Sequence, residues 1–186
     1  MSRPGVHGSD YPAGLEREIA LGDGAQMKIR PGRAGDAHAL TELCARRGRH
    51  ATDRPFSAVA HQLADWVRCP SGPGRHRLVL VAEDASGAGS QLVGAAWYHP
   101  TARDAAAEVA VMVDRLWRNR GLGTALLREL LAAAEARGIH RFIATALSER
   151  ERAIDMIARE GQIEHRGATA EAVAFRRRPA PPHCAS

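Results

Sequence analysis

Apolar positions along the 186-residue chain recur at two periods, and the switches between them mark out its elements. Met27 to Arg30 reads as a short strand. Ala39, Leu40, Leu43 and Cys44 then fall on one side of a helix that Asp36 can cap. Val59, Leu63 and Trp66 repeat at helical spacing between Ser57 and Val67, until Pro70 and Ser71-Gly72-Pro73-Gly74 stop the helix. The unbroken apolar run Leu78-Val79-Leu80-Val81-Ala82 predicts a buried strand. Gly87-Ala88-Gly89 predicts a hairpin break before a second strand from Leu92 to Tyr98, and Arg103-Asp104 turns the chain into a third, Ala107 to Val113. Leu126, Leu127, Leu130, Leu131 and Ala134 form one stripe of a helix from Ala125 to Arg137, which Gly138 ends. Gln162 to Arg166 and Ala172 to Arg177 read as two last strands joined at Gly167. Consecutive strands followed by strand and helix in alternation imply a mixed sheet with helices on its faces, an α+β layered domain.

A hydrophobic content of 45% supplies the core of one domain at this length and calls for no second one. Residues 1–25, rich in Gly, Pro and charge, are expected to form a flexible arm. The domain then spans 26–178, and 179–186 make a disordered tail. No apolar run approaches a membrane span, and Met1-Ser2-Arg3-Pro4-Gly5 lacks the apolar segment of a secretory signal, so a cytoplasmic protein is expected. Cys44, Cys69 and Cys184 are odd in number, widely spaced and without a Cys-x-x-Cys or neighbouring histidine pattern, which predicts free thiols and no metal. The net charge of +5 is nearly all arginine spread beside acidic residues. Its one dense cluster, Arg176-Arg177-Arg178, has no interleaved aromatics, which argues against nucleic acid.

The chemistry concentrates in Arg118-Asn119-Arg120-Gly121-Leu122-Gly123-Thr124, between the third apolar strand and the long helix. A helix start leaves its first N–H groups without intrahelical partners, all aimed at whatever occupies the loop. Gly121 and Gly123 remove the Cβ atoms that would keep a phosphate away and allow positive φ at the turn, while Arg118 and Arg120 add positive charge. A Walker-type loop needs Gly-Lys-Ser/Thr, but the only lysine is Lys28. A dinucleotide fingerprint needs a third glycine where Leu126 stands and an acidic residue near Ala144-Thr145-Ala146-Leu147, where none occurs.

With those excluded, the loop resembles that of the GNAT superfamily of N-acetyltransferases, which reads Arg/Gln-x-x-Gly-x-Gly/Ala after the fourth strand. The match is Arg118, Gly121 and Gly123, preceded at the family spacing by Glu108-Val109-Ala110-Val111-Met112-Val113. Downstream, His140 to Leu147 resembles the fifth strand, and Glu151 to Gly161 resembles the fourth helix with its usual terminal glycine. Ile29-Arg30-Pro31 and Gly35-Asp36-Ala37 resemble the first strand and helix cap, and the central region is most similar to bacterial GNAT protein-acetyltransferase domains. The resemblance implies a single GNAT-like α+β domain with a mixed, mostly antiparallel central sheet and helices on both faces. It implies acetyl-CoA as cosubstrate, its pantetheine arm bonded to main-chain groups of Val111, Met112 and Val113. The diphosphate would rest on N–H groups of Asn119, Arg120, Gly121, Leu122, Gly123 and Thr124, with Arg118 on the approach.

Acetyl transfer from a thioester requires a positioned neutral amine, a proton acceptor and a steadied oxyanion. Glu108 opens the strand in an Ala-Glu-aliphatic context where several family members carry a catalytic glutamate, and alternation places it on the face of Ala110 and Met112. It is the first candidate for the base. His99, before Pro100, is the second, although a histidine before proline in a turn is more often solvent-facing. Many relatives carry a fourth-helix tyrosine that protonates the departing thiolate and an asparagine ahead of that helix, where this chain has Ile157 and Arg150. Proton return would fall to Ser148, to water or to no specific group. The implied activity is transfer to an amine-bearing acceptor, a protein lysine or a small molecule, by direct attack in a ternary complex. The departures leave open a catalytically weak acyl-CoA sensor or a partner-binding domain, and the sequence also leaves a homodimer open.

Overall fold

A computed structural model describes residues 13–48, 56–69, 77–84, 91–101, 106–145, 150–166 and 172–177. The turns expected at Gly87-Ala88-Gly89, at Arg103-Asp104 and at Gly167, the stop at Pro70 to Gly74, Ser148, Cys184 and the tail from 179 lie outside the described residues.

Eight strands form one sheet: β1 (Arg17–Ala20), β2 (Gln26–Pro31), β3 (Leu78–Asp84), β4 (Leu92–Pro100), β5 (Ala106–Val113), β6 (Arg141–Thr145), β7 (Gly161–Arg166) and β8 (Ala172–Arg177). Their spatial order is β1-β2-β3-β4-β5-β6-β8-β7. Every neighbouring pair is antiparallel except β5 and β6, which run parallel. Parallel strands need a crossover, and α3 (Leu122–Glu135) supplies it. The other helices are α1 (Ala37–Gly48), α2 (Phe56–Arg68) and α4 (Arg150–Glu160). The result is the expected single α+β domain with a mixed, mostly antiparallel sheet.

Two cores separate the faces. On one, α3 and α4 bury Leu122, Leu126, Leu127, Leu130, Leu131 and Ile157 against Leu80, Tyr98, Val109, Phe142 and Phe175. On the other, α1 and α2 bury Leu40, Leu43, Leu63 and Val67 against Val79, Val81, Ala95, Trp97 and Met112. β5 contributes to both: Ala107 and Val109 look toward α3, while Ala110 and Met112 look toward α1 and α2.

Two expectations change. Within the segment expected as an arm, Arg17–Ala20 pairs antiparallel with β2, and Leu15, Ile19 and Leu21 join the α3-side core. Its polar, mostly exposed residues carry no period-2 signal, so this edge strand is specified by its partner and by the turn at Gly24, whose φ is +84°. Asp36 does not cap α1. It ends a 3-10 turn (Ala34–Asp36), and its carboxylate accepts from the Arg33 N–H at 2.6 Å and from the Arg30 guanidinium at 2.7 and 2.8 Å. Arg30, 6% exposed, also pairs with Glu83, which ties β2, β3 and the entry to α1 together.

Candidate active site

β5 and β6 pair only from Ala106↔Arg141 to Val109↔Ala144. Beyond Val109, β5 continues to Val113 along β4, but its β6-side edge has no strand partner among the described residues. The described part of β6 ends at Thr145, one residue past that pairing, so the open stretch of the β5 edge starts just beyond Glu108 and Val109 and runs to Val113. Alternation turns the main-chain groups of Ala110 and Met112 toward β4, contrary to the expectation for Met112, and leaves those of Val111 and Val113 on the open edge. One of them, the Val113 carbonyl, accepts from Arg118 Nε at 3.4 Å.

At the Val113 end of that edge the chain runs through a short 3-10 turn (Arg115–Trp117), which Asp114 caps by accepting from the Leu116 N–H. Arg46 of α1 anchors the same carboxylate at 2.7 Å and donates to the Leu92 carbonyl at 2.9 Å. Two successive left-handed kinks then aim the chain into α3, at Asn119 (φ +62°) and at Gly121 (φ +91°), the helix N-cap. Asparagine tolerates that region better than most side chains, and glycine freely. The first helical bond runs from the Ala125 N–H to the Gly121 carbonyl, so amides through Thr124 precede the intrahelical ladder.

Gly123 has no such backbone need. A Cβ there would lie 3.4 Å from Met156 Sδ, 3.6 Å from Val113 Cγ2 and 3.9 Å from Val111 Cγ1, all ordinary contacts. Met156, on α4, was not singled out by sequence reasoning, yet it borders the loop. Ile157, at the position of the relatives' tyrosine, is buried in the α3-side core and offers no hydroxyl.

The two candidate bases meet. Register pairs His99 with Glu108 across β4 and β5, and His99 Nε2 stands 3.5 Å from Glu108 Oε2, within range of charge pairing but long for a hydrogen bond. Their side chains are 34% and 42% exposed. His99 is therefore not loose in a turn: Pro100 continues the strand by pairing with Ala107, and the imidazole packs against Trp66 with ring centroids 5.4 Å apart. The Arg77 guanidinium lies 5.7 Å from the centroid of the same Trp66 ring. His99 Nδ1 is buried with no hydrogen-bond partner among the described residues. Glu108, His99 and Trp66 thus cluster on the α2 face of the sheet, beside the start of the open β5 edge. Sequence periodicity assigned Trp66 only to a core stripe.

Cys44 is buried, which pushes its thiol up to about 11 and leaves it unreactive, while Cys69 is exposed. Tyr98 is fully buried beside Arg137 without a well-formed hydrogen bond to it; burial raises its phenol and Arg137 counters this in part. Among the described residues no His, Cys, Asp and Glu cluster could hold a metal ion, and no helix is long and apolar enough to cross a membrane.

Comparison with known proteins fits this geometry. The model of the acetyltransferase (GNAT) family matches residues 45–161. No curated protein sequence matches significantly. Among solved structures, the GNAT domain of S. lividans PAT superposes with a TM-score of 0.68 at 23% identity, covering 89% of this chain and 98% of that one. The yncA protein of Salmonella typhimurium, determined with its cofactor acetyl-CoA, superposes with a TM-score of 0.63 at 19% identity over 86% of this chain and 96% of its own. A cAMP-binding acyltransferase from Mycobacterium smegmatis superposes with a TM-score of 0.58 at 20% identity; 90% of this chain matches 49% of that larger one. At these identities the structural likeness establishes the fold alone.

Proposed function

The chain belongs to the acetyltransferase (GNAT) family, and from that premise we propose that it transfers an acetyl group from acetyl-CoA to a primary amine by direct attack in a ternary complex. The observation that carries this reading is the edge of β5 beyond Val109, which has no strand partner among the described residues. One end of it lies beside a paired glutamate and histidine, and the other leads to a loop whose amides precede the helical ladder.

The coenzyme's diphosphate fits the amides of Asn119 to Thr124, where the α3 dipole favours negative charge. Its pantetheine fits along Ala110–Val113, adding a strand-like partner to the open edge of β5 through the main-chain groups of Val111 and Val113. That course brings the thioester toward Val109 and Glu108. The amine nitrogen attacks the thioester carbon, a C–N bond forms, the C–S bond breaks and coenzyme A leaves as thiolate. Glu108 accepts the proton that the amine loses, with His99 beside it as the second acceptor. Proton return to the thiolate falls to Ser148 or to solvent. The acceptor enters from the α2 side, past Trp66 and His99, and is an amine on a protein lysine or a small molecule.

Ile157 supports a second reading, in which the domain senses acyl-CoA without efficient turnover, because no hydroxyl stands in its place on α4. Incubation with acetyl-CoA and a panel of amines, protein substrates and aminoglycosides, followed by a free-thiol assay, separates the two. Transfer predicts thiol release that depends on at least one acceptor. Binding of acetyl-CoA with no release from any acceptor favours the sensor.

A further inference from the structure

The β1–β2 turn, distant in sequence from the anion loop, reaches it through an ion pair. Asp23 Oδ2 lies 3.0 Å from Arg120 Nη1, and the side chains are 40% and 42% exposed. The same guanidinium lies over the Trp117 ring, 4.9 Å from its centroid. The turn presents the carboxylate firmly. The Leu21 N–H donates to the Ala25 carbonyl at 2.9 Å, the Gly24 N–H to the Leu21 carbonyl at 2.9 Å, and the Ala25 N–H to Asp23 Oδ1 at 3.2 Å.

Arg120 is the second residue of the amide stretch assigned to the diphosphate, so a fixed carboxylate there opposes the ligand twice. It occupies a cation that the phosphates would otherwise engage, and its own charge repels them. We propose that Asp23 sets the affinity for the coenzyme by holding Arg120 against Trp117 until the phosphates displace it, an inference that rests on the coenzyme site proposed above. An exposed ion pair is worth ~0.2–1 kcal/mol, so the competition corresponds to about a 1.4-fold to fivefold loss of affinity and is screened by salt.

Calorimetry on wild type and Asp23→Asn with acetyl-CoA, and with acetyl-pantetheine, which lacks the phosphates, tests it. Asparagine keeps the Oδ1 acceptor that closes the turn. The expected result is acetyl-CoA binding about 1.4-fold to fivefold tighter in the variant at low salt, a difference that collapses in ~0.5 M salt, and acetyl-pantetheine binding that does not change. In an Arg120→Ala background, Asp23→Asn should give a smaller gain. Unchanged or weaker acetyl-CoA binding by the variant, or an equal gain with acetyl-pantetheine, overturns the inference while leaving the coenzyme site intact. Absence of heat from wild type with acetyl-CoA rejects the coenzyme site and the inference together.

Discussion

Gly121 and Gly123 stand two residues apart, yet only the first must be glycine for the chain's own sake. Gly121 has a φ of +91°, so Gly121→Ala should destabilise by roughly 1–2 kcal/mol in urea unfolding. Gly123 sits in the first turn of α3 with room for a Cβ, so Gly123→Ala should leave stability unchanged or raise it by up to ~1 kcal/mol. Equal losses in both would contradict the kink. Glu108→Gln removes the proton acceptor but keeps the shape, so turnover should fall by about 10²-fold or more with acetyl-CoA affinity nearly unchanged; a fully active variant removes the assignment. Glu108 and His99 were each legible as candidates from sequence, but not as partners. Their meeting depends on the β4–β5 register, and a slip of one residue would put them on opposite faces. The pairing of Asp23 with Arg120 and the reach of Met156 to Gly123 are likewise long-range results of packing, with no local signature.

At the level of elements, the long apolar runs were legible and the polar pieces were not. β3, β4, β5 and α3 fall where their patterns predict, because burial dictates each sequence, on both faces of β3 and β4 and along one stripe of α3, whereas β1 is mostly exposed and borrows its order from β2. The expected strand pair at the C-terminal end does form. Gly161 begins β7 so close to β8 that a Cβ would stand 2.6 Å from the Arg176 carbonyl oxygen and 2.8 Å from Phe175 Cδ2. Gly161→Ala should therefore lower the thermal midpoint, by an amount equivalent to about 1–3 kcal/mol, through displacement of backbone that cannot yield like a side chain. A second prediction concerns the junction of β2, β3 and α1. Burial pulls the Asp36 carboxyl up, but the hydrogen bonds from Arg30 and the Arg33 N–H outweigh it and hold the group below its ordinary value. A folded-state value below the unfolded one stabilises the fold at neutral pH, and that contribution is lost as pH falls through it. Unfolding measured at decreasing pH should show stability dropping below ~pH 4, with a shallower drop in Asp36→Asn; identical slopes would remove Asp36 from the acid response.

For the whole molecule, the two faces of the sheet divide the work. The α3 and α4 face carries the larger core and the helix that starts at the anion loop, while the α1 and α2 face presents Trp66, His99 and Glu108 beside the start of the open β5 edge. The family was legible because Arg118, Gly121 and Gly123 stand together at one bend of the chain, where a single stretch of sequence carries the pattern. The proposed acceptor end was not legible, because Trp66, His99 and Glu108 are brought together from α2, β4 and β5. The most direct measurement is a titration of the ¹⁵N-labelled protein with acetyl-CoA, followed by backbone amide chemical shifts. The largest changes should fall on Asn119 to Thr124 and along Ala110 to Val113, with β7 and β8 nearly silent. Amides in those two stretches that stay fixed while the ligand binds elsewhere, or a spectrum unmoved at saturating acetyl-CoA, would contradict the site.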